Sequence, residues 1–415
     1  MNRILLTILW TLLAICVSAH DYTFRRIDTT NGLPDNEVKK VFRMPDGRMG
    51  VRTSSQLSLY DGQDFKTIQS PAASSKGYPT RYVSPLPTAY TDENHNVWFK
   101  EQGNISVLDC RREALRTDVR QLLAQKGIHE PVDNFFIDNR HGFWAVTRSG
   151  RLRYAAARQQ AITVALSVNG LRDVCRRGDE VWMVYADGRV VGWRLTDRRM
   201  FYRQRLWSHQ VVMRDFVKFG YDGRDLWLIW DSGVAHYQPA TRQWRQTLRA
   251  TGKHSMTDLT PVGNGRALVA VRHGGLWLTD SRQPQANRLI PLVTGTGDTL
   301  DDDINTLEYD RGNLFVGLYS SGLCYYNATA NLRKFPFVST VGQGMSNAYG
   351  YRLCALPDGN ICITGADGIW KYQTATRQFG KTLTQLAGKD YLQMYRDPRD
   401  RLWIGSFRGG LYVVD

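Results

Sequence analysis

The chain has 415 residues, more than one ordinary domain needs, and its 11% aromatic and 22% charged residues exclude a disordered chain. Its 54 basic against 39 acidic residues leave a formal charge of +15, but the Lys and Arg are dispersed and form no compact block or nucleic-acid motif. The charge therefore reads as a solvated basic surface, open to anionic partners and without a nucleic-acid role.

Met1-Asn2-Arg3, the apolar Ile4–Val17 and then Val17-Ser18-Ala19 read as a secretory signal over 1–19, cleaved after Ala19. The run is too short and too early for a spanning helix. Leu13-Ala14-Ile15-Cys16 resembles a lipoprotein box, with a poorly matching Ile before the Cys. No later stretch is apolar enough to cross a bilayer, so the chain after residue 20 is expected on one side of the membrane, outside the cytoplasm.

From there a unit of about 44 residues recurs nine times. Each copy is a short apolar run, an Asp/Asn/Gly turn, an apolar run often centred on Trp, a small or polar break, and a Gly-Leu-x-x-Tyr-like run. The Trp-equivalent positions are Gly50, Trp98, Trp144, Trp182, Trp227, Leu268, Phe315, Cys362 and Trp403. Strands of Val, Ile, Trp and Tyr broken by Asp-Gly or Asn-Gly predict hairpins; Pro357-Asp358-Gly359-Asn360 is one such turn. Only Arg112–Ile128 has a helical pattern, as a decorated connection. One four-stranded unit cannot bury both its faces, whereas stacking units around an axis does so. The Trp residues are expected to pack between neighbours.

The units divide as Asn36–Gln69, Tyr90–Leu115, Val132–Thr163, Leu171–Gln204, Asp215–Leu248, Met256–Leu289 and Ile304–Phe337, then Ala348–Thr382 and Tyr391–Asp415. Gly32-Leu33-Pro34-Asp35-Asn36 opens the first and Gly344-Met345-Ser346-Asn347 the eighth; Leu300-Asp301-Asp302-Asp303-Ile304-Asn305 echoes the same opening. The expectation is all-β: a seven-bladed β-propeller over 22–339, then the first two blades of a second, incomplete propeller over 340–415. Five cysteines follow the leader, without metal spacing; counting through the turn puts Cys354 and Cys362 on opposite faces of one hairpin, so no bridge is expected there.

Gly32-Leu33-Pro34-Asp35-Asn36, the Asp-x-x-Gly-x-x-Trp-x-Gly-Ser/Thr pattern and Gly-Leu-x-x-Tyr resemble the two-component regulator propeller repeat, with Trp403-Ile404-Gly405-Ser406-Phe407-Arg408-Gly409-Gly410-Leu411 the nearest match. The likeness covers residues 22–415. It implies the periplasmic sensor region of a hybrid two-component system that detects oligosaccharides, with a homodimer as part of a sensor kinase. No sandwich, membrane helix or kinase sequence lies within these 415 residues, so kinase activity is implied only for a longer parent protein. Gly50, Leu268 and Cys362 depart from the repeat's Trp.

Catalytic motifs are absent: the eight His show no HExxH spacing and no G-x-S-x-G elbow occurs. No cofactor is implied. Asp298, Asp301, Asp302 and Asp303 could offer oxygen ligands to Ca²⁺, but read more simply as a solvated loop, and no metal site is assigned. Loops after each central strand carry Arg52, Lys100, Arg148, Tyr185, Trp230, Arg272 with His273, and Tyr319. Rings stack on sugar faces and Arg pairs with carboxylate or sulfate, so these eight are the expected contacts to an oligosaccharide, an anionic one included. The alternatives are a secreted lyase or glycosidase acting on polysaccharide, and an envelope interaction scaffold.

Overall fold

The computed structural model describes residues 22–69, 77–84, 86–213, 216–295, 297–327, 350–365, 368–374, 378–383, 386 and 390–414. The expected leader, the restart motif at Gly344–Asn347 and the expected boundary at 339/340 lie outside them. The protein is all-β and built of four-stranded antiparallel sheets, an arrangement consistent with a β-propeller. It divides into two compact units, Met1–Asn331 and Leu332–Asp415.

In the first unit six sheets are built as meanders of four consecutive strands. The first sheet comprises Val38–Arg43, Met49–Thr53, Leu57–Tyr60 and Phe65–Ile68; the second Thr88–Thr91, Val97–Glu101, Asn104–Asp109 and Ala114–Arg116, with Tyr78–Pro79 added beside Asn104–Asp109. The third is Val132–Ile137, Phe143–Thr147, Leu152–Ala155 and Ile162–Val164, and the fourth Leu171–Arg177, Glu180–Tyr185, Arg189–Arg194 and Met200–Arg205. The fifth is Lys218–Tyr221, Leu226–Trp230, Gly233–Gln238 and Gln243–Arg249, and the sixth Ser255–Gly263, Arg266–Arg272, Gly275–Asp280 and Arg288–Ile290.

The seventh sheet departs from the meander. Ile304–Asp310, Asn313–Leu318 and Leu323–Asn327 are completed by the chain's first strand, Arg25–Ile27, with Arg25 opposite Tyr325, Arg26 opposite Cys324 and Ile27 opposite Leu323. The unit expected over Ile304–Phe337 thus takes one strand from residues 25–27, and backbone hydrogen bonds tie these distant parts of the first unit together.

Apolar layers lie between every pair of neighbouring sheets. Phe42, Leu59 and Phe99 join the first and second; Trp98, Phe135 and Phe143 the second and third; Trp144, Tyr154 and Trp193 the third and fourth. Trp182, Tyr237 and Trp244 join the fourth and fifth, Trp227, Met256 and Val269 the fifth and sixth, Leu268, Leu307 and Val316 the sixth and seventh. Ile27, Val41 and Phe315 then join the seventh back to the first. Trp98, Trp144, Trp182 and Trp227 are fully buried, as expected of side chains that each remove a large apolar area from water. In the first sheet Gly50 stands in the Trp slot and the Phe42 ring covers it; a Cβ on Gly50 would meet Phe42 Cζ at 2.0 Å.

The Asp turns are folding devices with a spacing rule. Asp92, Asp138 and Asp397 each stand six residues before their Trp. One carboxylate oxygen accepts turn N–H groups and the other accepts the indole N–H, at 2.7 Å from Trp98, 2.9 Å from Trp144 and 3.0 Å from Trp403. The third turn residue takes left-handed backbone, at His95, His141 and Asp400 with φ of 65°, 61° and 65°. In the fifth sheet Asp222 stands only five residues before Trp227. Its carboxylate caps Arg224 and Asp225 N–H, and the Trp227 indole N–H has no partner among the described residues.

The expected helix over Arg112–Ile128 is shorter. Ala114–Arg116 is strand, and only Val119–Gln125 (α1) is helical, burying Val119, Leu122 and Leu123 between the second and third sheets. Among the described residues the second unit holds a four-stranded sheet (Gly350–Ala355, Ile361–Gly365, Gly368–Gln373, Gln378–Thr382) and a three-stranded one (Tyr391–Arg396, Leu402–Ser406, Gly410–Val414), joined by Ile369, Tyr391 and Ile404. Cys354 and Cys362 are direct register partners, so they share a face, contrary to the count made through the turn; both thiols are free.

Candidate functional site

Antiparallel order puts the end of each second strand and the start of each first strand on one face. A recurring backbone bond marks it: the N–H after the second strand donates to the carbonyl before the first, from Ser54 to Glu37 (3.0 Å), Arg148 to Pro131 (2.7 Å), Ala186 to Gly170 (2.8 Å) and Tyr319 to Asp303 (2.9 Å). Acidic residues of the incoming segment pin the loop opposite: Asp35 accepts from the Ser54 hydroxyl, Glu130 from Ser149 (2.7 Å) and Asp302 from Ser320 (3.0 Å). The opening Leu-Pro-Asp-Asn motif and its Asp302 echo thus brace this face. Asp302 also accepts the N–H groups of Ser320 and Ser321, which is the work of part of the acidic run.

The expected contact residues divide in two. Arg272, His273 and Tyr319 are exposed and gather around Asp303. The Asp303 carboxylate accepts the His273 N–H at 2.7 Å and stands 3.5 Å from Arg272 Nε and 3.3 Å from His273 Nδ1. Arg52 lies half-buried in a two-pronged pair with Glu101 of the next sheet, both contacts 3.3 Å, and the exposed Arg148 leans on Asp133 at 3.2 Å.

Lys100, Tyr185 and Trp230 are buried, at 2%, 2% and 4% exposure. The loop-contact reading does not hold for these three. The Lys100 ammonium donates to Phe135 O (2.7 Å) and Asn134 Oδ1 (3.0 Å) and sits 4.0 Å from the Phe136 ring centre, so a cation–π box and two oxygens replace its water. Tyr185 donates to Ser167 O at 3.0 Å, and Trp230 stacks on Trp207 with ring centres 4.9 Å apart. Strand alternation turned these side chains inward, and spacing along the chain alone did not reveal the turn.

A second polar group escaped the sequence reading: the first strands of the sheets, which pack side by side. In the first unit five of them carry a register shift early in the strand, at Val38/Lys40, Val132/Asn134, Leu171/Asp173, Met256/Asp258 and Ile304/Thr306. The residue after the bulge often staples its sheet to the next. Asp173 accepts Val174 N–H (2.9 Å) and Phe219 N–H of the fifth sheet (2.8 Å). Asp258 accepts Leu259 N–H (2.7 Å) and Leu307 N–H of the seventh (2.9 Å), and Thr306 accepts Val41 N–H of the first (3.4 Å). The signal was present as apolar-x-polar-apolar, in Leu171-Arg172-Asp173-Val174 and Met256-Thr257-Asp258-Leu259.

Charge accompanies these staples. Burial would raise the Asp258 carboxyl, but Lys218 Nζ at 2.8 Å and Lys40 Nζ at 3.7 Å hold it below its ordinary value. Burial pushes Asp173 up to about 6 against its two backbone donors and the fields of Lys100 and Lys218. Glu308 is enclosed by protein while keeping some solvent contact; that enclosure raises it to about 7, with Asp258 and Asp310 adding to the rise and Lys40 and Arg43 opposing it. No group of three or more metal-ligating side chains occurs among the described residues. Three His–carboxylate pairs are close: His209–Asp231 (2.8 Å), His236–Asp225 (3.2 Å) and His273–Asp303.

No family model and no curated protein matches this chain. Solved structures do. The extracellular domain of the hybrid two component system BT3049 from B. thetaiotaomicron matches with a TM-score of 0.52 and 16% identity, over 95% of this chain and 53% of that one. That of BT4673 from the same organism matches with a TM-score of 0.54 and 15% identity, over 95% and 59%. The chain therefore spans a little over half the length of those domains. A catalytically inactive virginiamycin B lyase from Staphylococcus aureus, solved with quinupristin, matches at 0.50 and 9% identity over 74% of this chain. The likeness expected from the repeat is thus present in three dimensions: the chain shares its fold with the extracellular domains of hybrid two-component systems. No described helix is long and apolar enough to cross a membrane.

Proposed function

We propose that this chain is the extracytoplasmic ligand-sensing part of a hybrid two-component system, exported to the periplasm by the segment 1–19 and non-catalytic by itself. In this reading the seven sheets from residue 22 to about 339 form a seven-bladed ring closed by Arg25–Ile27. The two sheets of the second unit are then blades of a further propeller. The observation that carries it is the fold shared with two such extracellular domains over 95% of the chain. The ligand is an oligosaccharide, and Arg272, His273 and Tyr319 around Asp303, with Arg52 and Arg148 on the same face, are its candidate contacts. Exposed guanidinium and phenol groups suit the hydroxyl, carboxylate or sulfate groups and flat apolar faces of sugars.

Calorimetric titration of the protein with a panel of oligosaccharides, followed by mass analysis of each mixture, tests the proposal. Saturable binding with the sugar recovered intact is expected. A cleaved or eliminated product would replace the sensor by the secreted lyase or glycosidase reading. Silence across the panel would leave the interaction scaffold.

A further inference from the structure

The face opposite Asp303, built from the turns between first and second strands, carries an open depression of about 680 Å³ spanning the third, fourth and fifth sheets. Arg140 comes from the third sheet's turn, Arg177 and Arg194 from the fourth sheet, and Arg224 and Tyr221 from the fifth sheet's turn. Asp179 and Glu180 also line it, so the walls carry four guanidinium groups against two carboxylates.

Both carboxylates are engaged. Glu180 pairs with Arg177 at 3.2 Å and accepts the Trp182 indole N–H at 3.3 Å, while Asp179 accepts the Thr196 hydroxyl at 2.7 Å. Arg194 leans on Asp197 at 3.1 Å. Arg140 and Arg224 are exposed, and among the described residues neither guanidinium forms an ion pair. They stand on turns whose shapes are set from within: Asp138 caps Arg140 N–H and Asp222 caps Arg224 N–H. Asn139 Oδ1 accepts Arg176 N–H at 2.8 Å and so locks the third sheet's turn to the fourth. Two unneutralised guanidinium forks are therefore held on braced backbone across one cleft, beside the Tyr221 ring, whose hydroxyl donates to Gly223 O at 2.8 Å.

We infer that this cleft binds an anionic oligosaccharide, with Arg140 and Arg224 receiving two of its sulfate or carboxylate groups and Tyr221 offering a ring to a sugar face. The inference rests on the sensing proposal for its ligand class and adds, on the opposite face, a second binding site to the candidate contacts around Asp303. Guanidinium is the suitable group because its planar fork meets sulfate and carboxylate oxygens two at a time. A neutral sugar offers the two forks hydroxyl and ether oxygens but no anionic group for charge-assisted, two-pronged pairing.

The test is titration of the full chain with a heparin-derived hexasaccharide, an oligogalacturonate and maltohexaose, at low and at physiological salt. It compares the unaltered protein, Arg140→Ala/Arg224→Ala, and, as a charge-matched control away from both candidate sites, Arg111→Ala/Arg112→Ala in an exposed turn of the second sheet. The expected result is binding of a sulfated or a uronate probe that weakens at least about tenfold in the cleft variant, with less than about twofold change in the control variant. Which probe binds decides between sulfate and carboxylate. Equal losses in both variants, no loss in the cleft variant, or no binding of either anionic probe would overturn the inference. Maltohexaose binding alone would overturn it while leaving the sensing proposal standing. Thermal unfolding of each variant checks the fold; should the alanine pair fail to fold, Arg140→Gln/Arg224→Gln, which keeps the side-chain stems, carries the same comparison.

Discussion

Replacing Asp138 with Ala isolates the device that builds these sheets. Its carboxylate, 3% exposed, accepts Trp144 Nε1 at 2.9 Å, Gly142 N–H at 3.0 Å and Arg140 N–H at 2.9 Å. The first two donors are buried and would lose their acceptor, at about 1–3 kcal/mol each, and the third turn bond adds about 0.5 kcal/mol, for a total of about 2.5–6.5 kcal/mol. Asp222 provides the internal control. It caps only the exposed turn N–H groups of Arg224 and Asp225, at 3.0 and 2.8 Å, so Asp222→Ala should cost no more than about 1 kcal/mol. The assay is scanning calorimetry with urea unfolding of the two variants side by side. A difference of about 2 kcal/mol or more, several degrees in Tm, is expected. Equal losses within about 0.5 kcal/mol would refute the spacing rule, because the indole bond would then contribute nothing.

Gly50→Ala drives a Cβ to 2.0 Å from Phe42 Cζ and should cost about 1–3 kcal/mol, with Phe42→Leu in the same chain restoring part of it; thermal unfolding reads both. Lys100→Ala removes a buried cation and leaves its oxygens and rings unfilled, a loss of about 2–4 kcal/mol, whereas Lys100→Met keeps the volume and should lose about 1 kcal/mol, with oligosaccharide titrations unchanged in the Met variant. Asp173 and Glu308 titrate at about 6 and about 7 in the folded chain, against about 4 when unfolded. The folded state therefore holds more protons between these values, and their contribution to stability falls as pH rises from about 4 to about 7. Calorimetry from pH 5 to 8 should show a falling Tm, flattened at the upper end in Glu308→Gln. Asp258, held low, works the other way and its contribution is lost only on acidification below about 4.

What could be read in the sequence was local. Asp138 to Trp144 spans six residues, so the turn and its Trp repeat visibly along the chain, while the carboxylate's bond to the indole emerged only with the structure. The burial of Trp98 and Trp227 follows from residue size and hairpin alternation. What escaped depends on partners distant in sequence or on parity. Arg25–Ile27 is three residues long and finds its partner only at Leu323–Tyr325, so nothing nearby marks it as a strand. Asp173 and Asp258 sit after bulges, where the alternation of faces slips by one, and their meaning lies in Phe219 and Leu307 of other sheets. Lys100 looked like a surface cation because nothing beside it in sequence announces Phe136 and Asn134. Arg272, His273 and Tyr319 were read as separate loop residues, and only the seventh sheet's entry at Asp303 draws them together. The Arg140–Arg224 cleft lay in the turns, which had been read for folding alone.

The first strand's return to the seventh sheet can be tested with one thiol. Arg26 lies opposite the buried, free Cys324, and directly opposed residues of an antiparallel pair bring their Cβ atoms to about 5 Å. Arg26→Cys, mildly oxidised and mapped by peptide mass analysis, is predicted to form the link to residue 324 and to raise the thermal midpoint, since it closes a very long loop of the unfolded chain. Free thiols at both positions, or a link from residue 26 to another cysteine, would contradict the closed ring.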